Sequence, residues 1–210
     1  MNYLELLGTL VGLIYLYLEY RASIYLWIVG VIMPAIYIGI YHDAGLYADM
    51  GINIYYLLAA VYGWIIWMRG KQKARAFTAT ANQPSFLPIR YTPLQQWKWL
   101  LLIGGVLFVG IGVLLQQYTD STVPWLDSFT TAVSIVGMWQ LAHKYLEQWI
   151  TWIVVDAVSC GLYIYKGLDL TAALYALYTV IAIFGYFKWK RMMHNTEPQQ
   201  GLVNKNRTNQ

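Results

Sequence analysis

The sequence predicts an all-α integral membrane fold of seven transmembrane helices, with two similar three-helix halves of one orientation on either side of a linking helix. Three observations predict it. Of 210 residues, 59% are apolar and 11% charged, and the mean hydropathy is +0.44, more than the limited interior of a water-soluble domain this size can bury. The apolar residues fall into seven long blocks, each near the roughly 20 residues that a helix of 1.5 Å rise needs to cross hydrocarbon. The two ends of the chain also resemble each other, block by block.

Helix one is expected over Tyr3 to Tyr20. It has Glu5 inside it and neither a basic leader nor a small-residue cleavage site, so it reads as a retained helix and not a signal peptide. Helix two, Ser23 to Tyr41, carries Pro34 in mid-span, where the missing N–H predicts a kink and a candidate hinge. In helix three, Leu46 to Met68, the residues Asp49, Asn53, Tyr56, Ala60, Gly63 and Trp67 recur at spacings of three and four and share one stripe. Asn53 lies about 12 Å in from the helix end, too deep to reach interfacial water. These helices form the first repeat, 1–68, and a basic loop, 69–96, follows.

The linking helix is expected over 97–116. The second repeat, 125–190, holds helix five from Trp125 to His143, helix six from Gln148 to Tyr165 and helix seven from Leu170 to Trp189. Trp139 and Gln140 stand near the inner end of helix five. Helix six presents Trp149, Trp152, Asp156, Ser159, Cys160 and Tyr163 along one face, and helix seven repeats the stripe of helix three as Thr171, Tyr175, Tyr178, Ala182, Gly185 and Trp189. The Asn- and Gln-rich tail, 191–210, is expected to be disordered and cytoplasmic.

Placing Tyr3–Trp67 over Trp125–Trp189 pairs Glu5 with Asp127, Thr9 with Thr131, Tyr56 with Tyr178, Ala60 with Ala182, Gly63 with Gly185 and Trp67 with Trp189. Helices two and six pair in a register three residues longer, where Trp27-Ile28-Val29 meets Trp152-Ile153-Val154, which puts a gap near His42. One helix between the halves gives both the same orientation, a parallel repeat of the kind transporters use.

Charge sets the topology. Arg69, Lys71, Lys73, Arg75, Arg90 and Lys98 cluster without an acid, and Lys188, Lys190, Arg191, Lys205 and Arg207 follow the last span, so both regions are expected inside and the N-terminus outside. Of the 14 Lys and Arg residues, only Lys166 then falls outside. The net charge of +4 is thereby a report on topology and not on nucleic acid. The single Cys160 excludes an intrachain disulfide, and the scattered His42, His143 and His194 argue against a metal site. No Walker loop, dinucleotide turn, HExxH or GxSxG occurs, and helix seven lacks the mid-span lysine of a retinal protein, so neither an enzyme nor a resident cofactor is expected.

Polar groups in hydrocarbon are costly and face the interior. Asp156 at mid-span is the most expensive of them: it is neutral, paired, or opposite a cationic ligand. With it, Asn53, Tyr56, Trp149, Trp152, Tyr178, Trp139 and Gln140 are the candidate substrate-binding residues. Gly and Ala in the stripes are explained by close helix approach, and Trp64, Trp67, Trp125 and Trp189 by an interfacial belt.

The ordered set Tyr47-Ala48-Asp49, Asn53-Ile54-Tyr55-Tyr56, Tyr62-Gly63-Trp64-Ile65-Ile66-Trp67, Trp125-Leu126-Asp127-Ser128, Lys144-Tyr145-Leu146-Glu147-Gln148-Trp149-Ile150-Thr151-Trp152 and Gly185-Tyr186-Phe187-Lys188-Trp189 resembles the PnuC family of bacterial vitamin transporters. The resemblance covers nearly all of the chain before the tail. It implies a 3+1+3 fold related to the sugar-transporting SWEET proteins, in the inner membrane. It further implies uptake of nicotinamide riboside by facilitated diffusion, trapped by a cytoplasmic kinase, and Asn53, Tyr56, Trp149, Trp152 and Asp156 fall at matching motif positions. Asn53 stands where such members usually carry Gln, and a thiamine-carrying branch makes thiamine the alternative substrate. A membrane-embedded enzyme and a non-transporting subunit are the rival classes; relatives of this architecture often associate, so a homo-oligomer is expected.

Overall fold

The computed structural model describes the backbone of residues 3–43, 47–77, 87–119 and 121–207 and the side chains of 10–40, 42–43, 50–70, 87–119 and 121–195. Glu5, Asp49, Lys71, Lys73 and Arg75 lie outside the described side chains. The helices are α1 (Tyr3–Tyr20), α2 (Tyr25–Asp43), α3 (Tyr47–Phe77), α4 (Leu94–Tyr118), α5 (Pro124–Ala142), α6 (Gln148–Tyr165) and α7 (Asp169–Arg207). Among the described residues the only β-type pairing is a single bridge between Arg90 and Tyr145. The protein is an all-α integral membrane protein of seven helices.

Contacts divide the chain into two compact units, Met1–Leu87 and Pro88–Gln210. In the first, α2 packs on both α1 and α3; in the second, α6 packs on both α5 and α7, and the linking helix α4 packs on α5. Apolar side chains stay on the outside: Leu101, Val106 and Leu114 of α4 are 69%, 65% and 57% exposed, as a hydrocarbon solvent allows and water does not. Among the described residues three stretches, Met50–Gly70, Leu94–Tyr118 and Asp169–Asn195, are long and apolar enough to cross a membrane by length and composition alone. Helices α5 and α6 are 19 and 18 residues long, and their buried Ser128, Gln140, Gln148, Asp156 and Ser159 lower their hydropathy.

Two helices outrun their expected ends. α3 continues to Phe77 into the basic loop, and α7 continues to Arg207 through the tail expected to be disordered. The physical reason is that propagation from a formed helix is cheap even where no core supports it. A composition too polar to build a core still fills a helix.

The repeat is closer in space than in sequence. α1 and α5 both end in a Schellman turn with a non-glycine residue in the left-handed region: Ala22 at φ 50° and Lys144 at φ 53°. Ser23 N–H donates to Leu18 O (2.9 Å) and Ala22 N–H to Glu19 O (2.8 Å), while Tyr145 N–H donates to Gln140 O and Lys144 N–H to Leu141 O, both at 3.0 Å. Beyond each turn a buried tryptophan lies against a glycine of the third helix. Trp27 covers Gly63 and meets Trp67 edge-on at 5.5 Å; Trp149 covers Gly185 and meets Trp189 edge-on at 5.6 Å.

These matches overturn the longer register for helices two and six. Trp27 is the partner of Trp149 and not of Trp152, and Gly39 with Gly161 and Tyr41 with Tyr163 continue the same register without a gap near His42. The Trp-Ile-Val triplets misled because α2 and α6 are apolar on their outward faces, where Ile28 and Val154 are exposed and packing fixes no register. Trp152 instead corresponds to Gly30. An added Cβ at Gly30 would sit 3.3 Å from Tyr15, and Gly137, the counterpart of Tyr15, lies against Trp152. Each half therefore puts one aromatic ring and one glycine at this crossing and draws the ring from opposite helices.

Candidate functional site

Asn53, Tyr56 and Pro34 belong to the first unit and Trp139, Gln140, Trp149, Trp152, Asp156 and Tyr178 to the second. In the first, Asn53 and Tyr56 share a face of α3 by their spacing of three, both half-buried, and the Tyr56 ring lies 5.5 Å from that of Tyr55. Pro34 is buried within α2, whose helical assignment is unbroken across it.

In the second unit the residues separate into three environments. Trp149 is fully buried under Gly185 and Trp189, and its indole N–H is buried without a hydrogen-bond partner among the described residues. Its counterpart Trp27 is buried in the same way in the first unit. Trp67 and Trp189, expected in an interfacial belt, are the buried edge partners of these two rings, whereas Trp64 and Trp125 are exposed.

Trp139 and Gln140 are adjacent in sequence and therefore about 100° apart on α5. Trp139 turns toward α4, meets the His143 ring at a tilt with centroids 4.1 Å apart, and lines a cleft with Gln96 and Trp99. Gln140 turns the other way and is fully buried; its Oε1 accepts a 2.7 Å hydrogen bond from Thr151 Oγ1. Its Nε2 and the indole N–H of nearby Trp152 are buried without a partner among the described residues. Buried orphan donors are rare and costly, so they mark a place where a ligand or water completes the set.

One turn along α6 from Trp152 stands Asp156, 7% exposed and free of any hydrogen bond or ion pair among the described residues. Ser159, also buried, follows on the same face. Facing it from α7 is Tyr178, whose phenol lies within electrostatic reach of the Asp156 carboxyl. The Tyr178 ring meets Tyr175 edge-on at 5.7 Å, and Tyr175 stacks on Tyr163 at 5.1 Å. Trp152, Asp156 and Tyr178 thus stand near one another, and the rings of Tyr175 and Tyr163 continue from Tyr178. Stacking surfaces around one carboxyl suit a flat aromatic ligand, above all a cationic one. Among the described residues no group of three His, Cys, Asp or Glu side chains is suited to hold a metal ion.

Gln148 was not among the expected residues. It is fully buried at the start of α6, and both polar atoms of its amide are without partners among the described residues. The available signal was its counterpart Leu26, equally buried: a polar residue in one repeat where the other has leucine.

A family model described as nicotinamide mononucleotide transporter matches residues 2–191. The nicotinamide riboside transporter PnuC of Escherichia coli (strain K12) is 24% identical over 213 residues, covering 90% of this chain and 85% of that one. The riboflavin/roseoflavin transporter RibM of Streptomyces davaonensis is 25% identical over 186 residues, covering 88% of this chain and 83% of its own. A crystal structure of the vitamin B3 transporter PnuC shares the fold, with a TM-score of 0.65 at 22% identity over 89% of this chain and 80% of that one.

Proposed function

The chain belongs to the nicotinamide mononucleotide transporter family, that of PnuC, and from that premise we propose that it takes up nicotinamide riboside across the inner membrane by facilitated diffusion. A separate cytoplasmic kinase traps the product. The observation that carries this reading is Asp156, a buried carboxyl without a protein partner among the described residues, flanked by Trp152 and Tyr178. A permanently cationic pyridinium ring satisfies both features of that wall: it stacks on the aromatic faces and neutralises the carboxylate. Asn53 and Tyr56 are the first repeat's own contributions to vitamin binding, and Pro34 is its hinge. The exposed aromatic surface supports a homo-oligomer. The charge bias supports an outside N-terminus and a cytoplasmic C-terminus.

Thiamine is the second reading, favoured by Asn53 in place of a longer glutamine and by its own cationic ring. RibM similarity raises riboflavin, but an uncharged ring system leaves Asp156 without a counter-charge. Calorimetric titration of the purified protein with each of the three vitamins tests the choice. Saturable heat with nicotinamide riboside alone is the expected result; heat with thiamine alone transfers the function to the second reading, and silence with all three in folded protein overturns both. Asn53→Leu and Asp156→Ala are each expected to weaken binding by about 1–3 kcal/mol, the cost of lost polar contacts in a desolvated site, and wild-type affinity in both places the site elsewhere. Flux of the bound vitamin into liposomes separates a transporter from a non-transporting subunit, and recovery of the vitamin unchanged separates it from a membrane-embedded enzyme.

A further inference from the structure

Helices α4 and α5 are tightly joined along most of their length. Gly112 lies against the Trp125 ring, where an added Cβ would come within 2.6 Å of it. Ser128 Oγ donates to the Phe108 carbonyl, and Gly104 lies against Val136. Toward the start of α4 the pair opens into a cleft of about 330 Å³, lined by Leu100, Ile103, Ile135, Val136, Trp99 and Trp139 and ending at Gln96. Its walls are apolar, and Trp99 and Ile103 are 60% and 49% exposed.

The end of the cleft has the opposite character. Gln96 Oε1 accepts a 2.7 Å hydrogen bond from the Tyr145 hydroxyl, and that hydroxyl accepts one of 3.4 Å from Arg90. The guanidinium lies 5.1 Å from the centre of the Tyr145 ring, and Tyr145 stacks on His143. Arg90 is held there by its backbone: its N–H donates to Lys144 O (3.2 Å), and its carbonyl accepts from Leu146 N–H (2.9 Å). Thr92, two residues on, donates from N–H and Oγ1 to Glu147 Oε2, both at 2.9 Å. That occupies one oxygen of the Glu147 carboxylate, and the exposed Arg90 is in no ion pair among the described residues. A fixed cation thus caps an apolar slot between α4 and α5 of the second unit.

We propose that this cleft is a binding site for one anionic phospholipid, with an acyl chain between α4 and α5 and the headgroup phosphate on Arg90. Charge complementarity selects the occupant: an acyl chain satisfies the walls, and a phosphate supplies the Arg90 guanidinium with a counter-charge, for which arginine is geometrically suited. By helical spacing Lys98 points to the opposite face of α4 from Gln96, Leu100 and Ile103 and takes no part.

The test is the thermal stability of the full chain in neutral detergent, with phosphatidylglycerol or phosphatidylcholine of identical acyl chains added. Phosphatidylglycerol is expected to raise Tm more than phosphatidylcholine. Arg90→Gln and the slot-filling Val136→Trp remove the excess, and Lys98→Gln keeps it. Should the variants fold poorly, the wild-type protein still decides: the excess shrinks as salt rises from 0.1 to 1 M, since the screening length falls from about 10 Å to about 3 Å. Equal stabilisation by both lipids, an excess that survives Arg90→Gln, or one indifferent to salt overturns the proposal. So does cross-linking of Trp99→Cys between copies in lipid-depleted detergent, because a second chain then covers the cleft.

Discussion

At the residue scale two kinds of side chain set sharp expectations. Gly63 and Gly185 lie directly under the Trp27 and Trp149 rings, and a methyl group at either position forces a rigid, fully buried indole to move. Gly63→Ala and Gly185→Ala are each expected to destabilise by about 1–3 kcal/mol, the usual cost of overpacking, whereas Gly161→Ala, with nothing within 4 Å, is expected to gain up to about 1 kcal/mol of helix propensity. Thermal unfolding in detergent checks all three, and a neutral Gly185→Ala would refute the lock. Lys144 is the other case. It is 3% exposed in the turn between α5 and α6, and burial lowers its ammonium pKa to about 8. Because the unfolded chain holds this proton up to its ordinary value of 10.5, it binds more protons than the folded chain between about pH 8 and pH 10.5, so stability rises with pH across that window. Below pH 8 both states carry the proton and the pH dependence vanishes. Lys144→Met is therefore expected to stabilise near pH 7 by a few kcal/mol at most, with the advantage shrinking by pH 10; a difference in Tm between the two proteins that does not change with pH would exclude this account.

At the scale of elements, both repeats solve the first turn identically, and both do so against local preference. A Schellman turn normally takes glycine at its left-handed position, since other L-residues pay roughly 1–2 kcal/mol there. Ala22 has only a methyl group to lose, so Ala22→Gly is expected to stabilise by about 1 kcal/mol, read as a higher Tm with unchanged helical content, and a destabilised variant would mean that the methyl contact outweighs the strain. The turn also shows what the sequence made legible. Seven helices, their order and the pairings of Gly63 with Gly185 and Trp67 with Trp189 were readable, because span length and small residues at close crossings leave a strong periodic trace. The register of α2 against α6 was not. Left-handed Ala22 and Lys144 carry no glycine to announce them, and the apolar outward faces offer several equally good alignments. That Trp149 covers a glycine was not legible either: an aromatic on a polar face looks alike whether it covers a glycine or a ligand. The grouping of Trp152, Asp156 and Tyr178 was legible because a mid-span carboxyl has few places to go.

For the whole molecule the property at stake is orientation, and one ion pair bears on it. Lys166 is the basic residue that stands against the charge bias, and it donates to Asp127 at 3.1 Å, the two side chains being 29% and 27% exposed. A cation whose charge is matched by a neighbouring carboxylate is a weak topogenic signal, so its position does not count against an outside N-terminus, whereas Arg69, in no ion pair among the described residues, keeps its full weight. The expectation is tested in a Cys160→Ser background carrying either Lys166→Cys or Arg69→Cys. Loss of the partly exposed pair costs no more than about 1 kcal/mol, so both proteins remain folded. In intact spheroplasts a membrane-impermeant maleimide is expected to label position 166 within minutes and to reach position 69 only after permeabilisation. The opposite pattern would invert the molecule, put the α5–α6 turn and Arg90 on the outer surface, and leave the basic loop as an exception that the charge bias cannot explain.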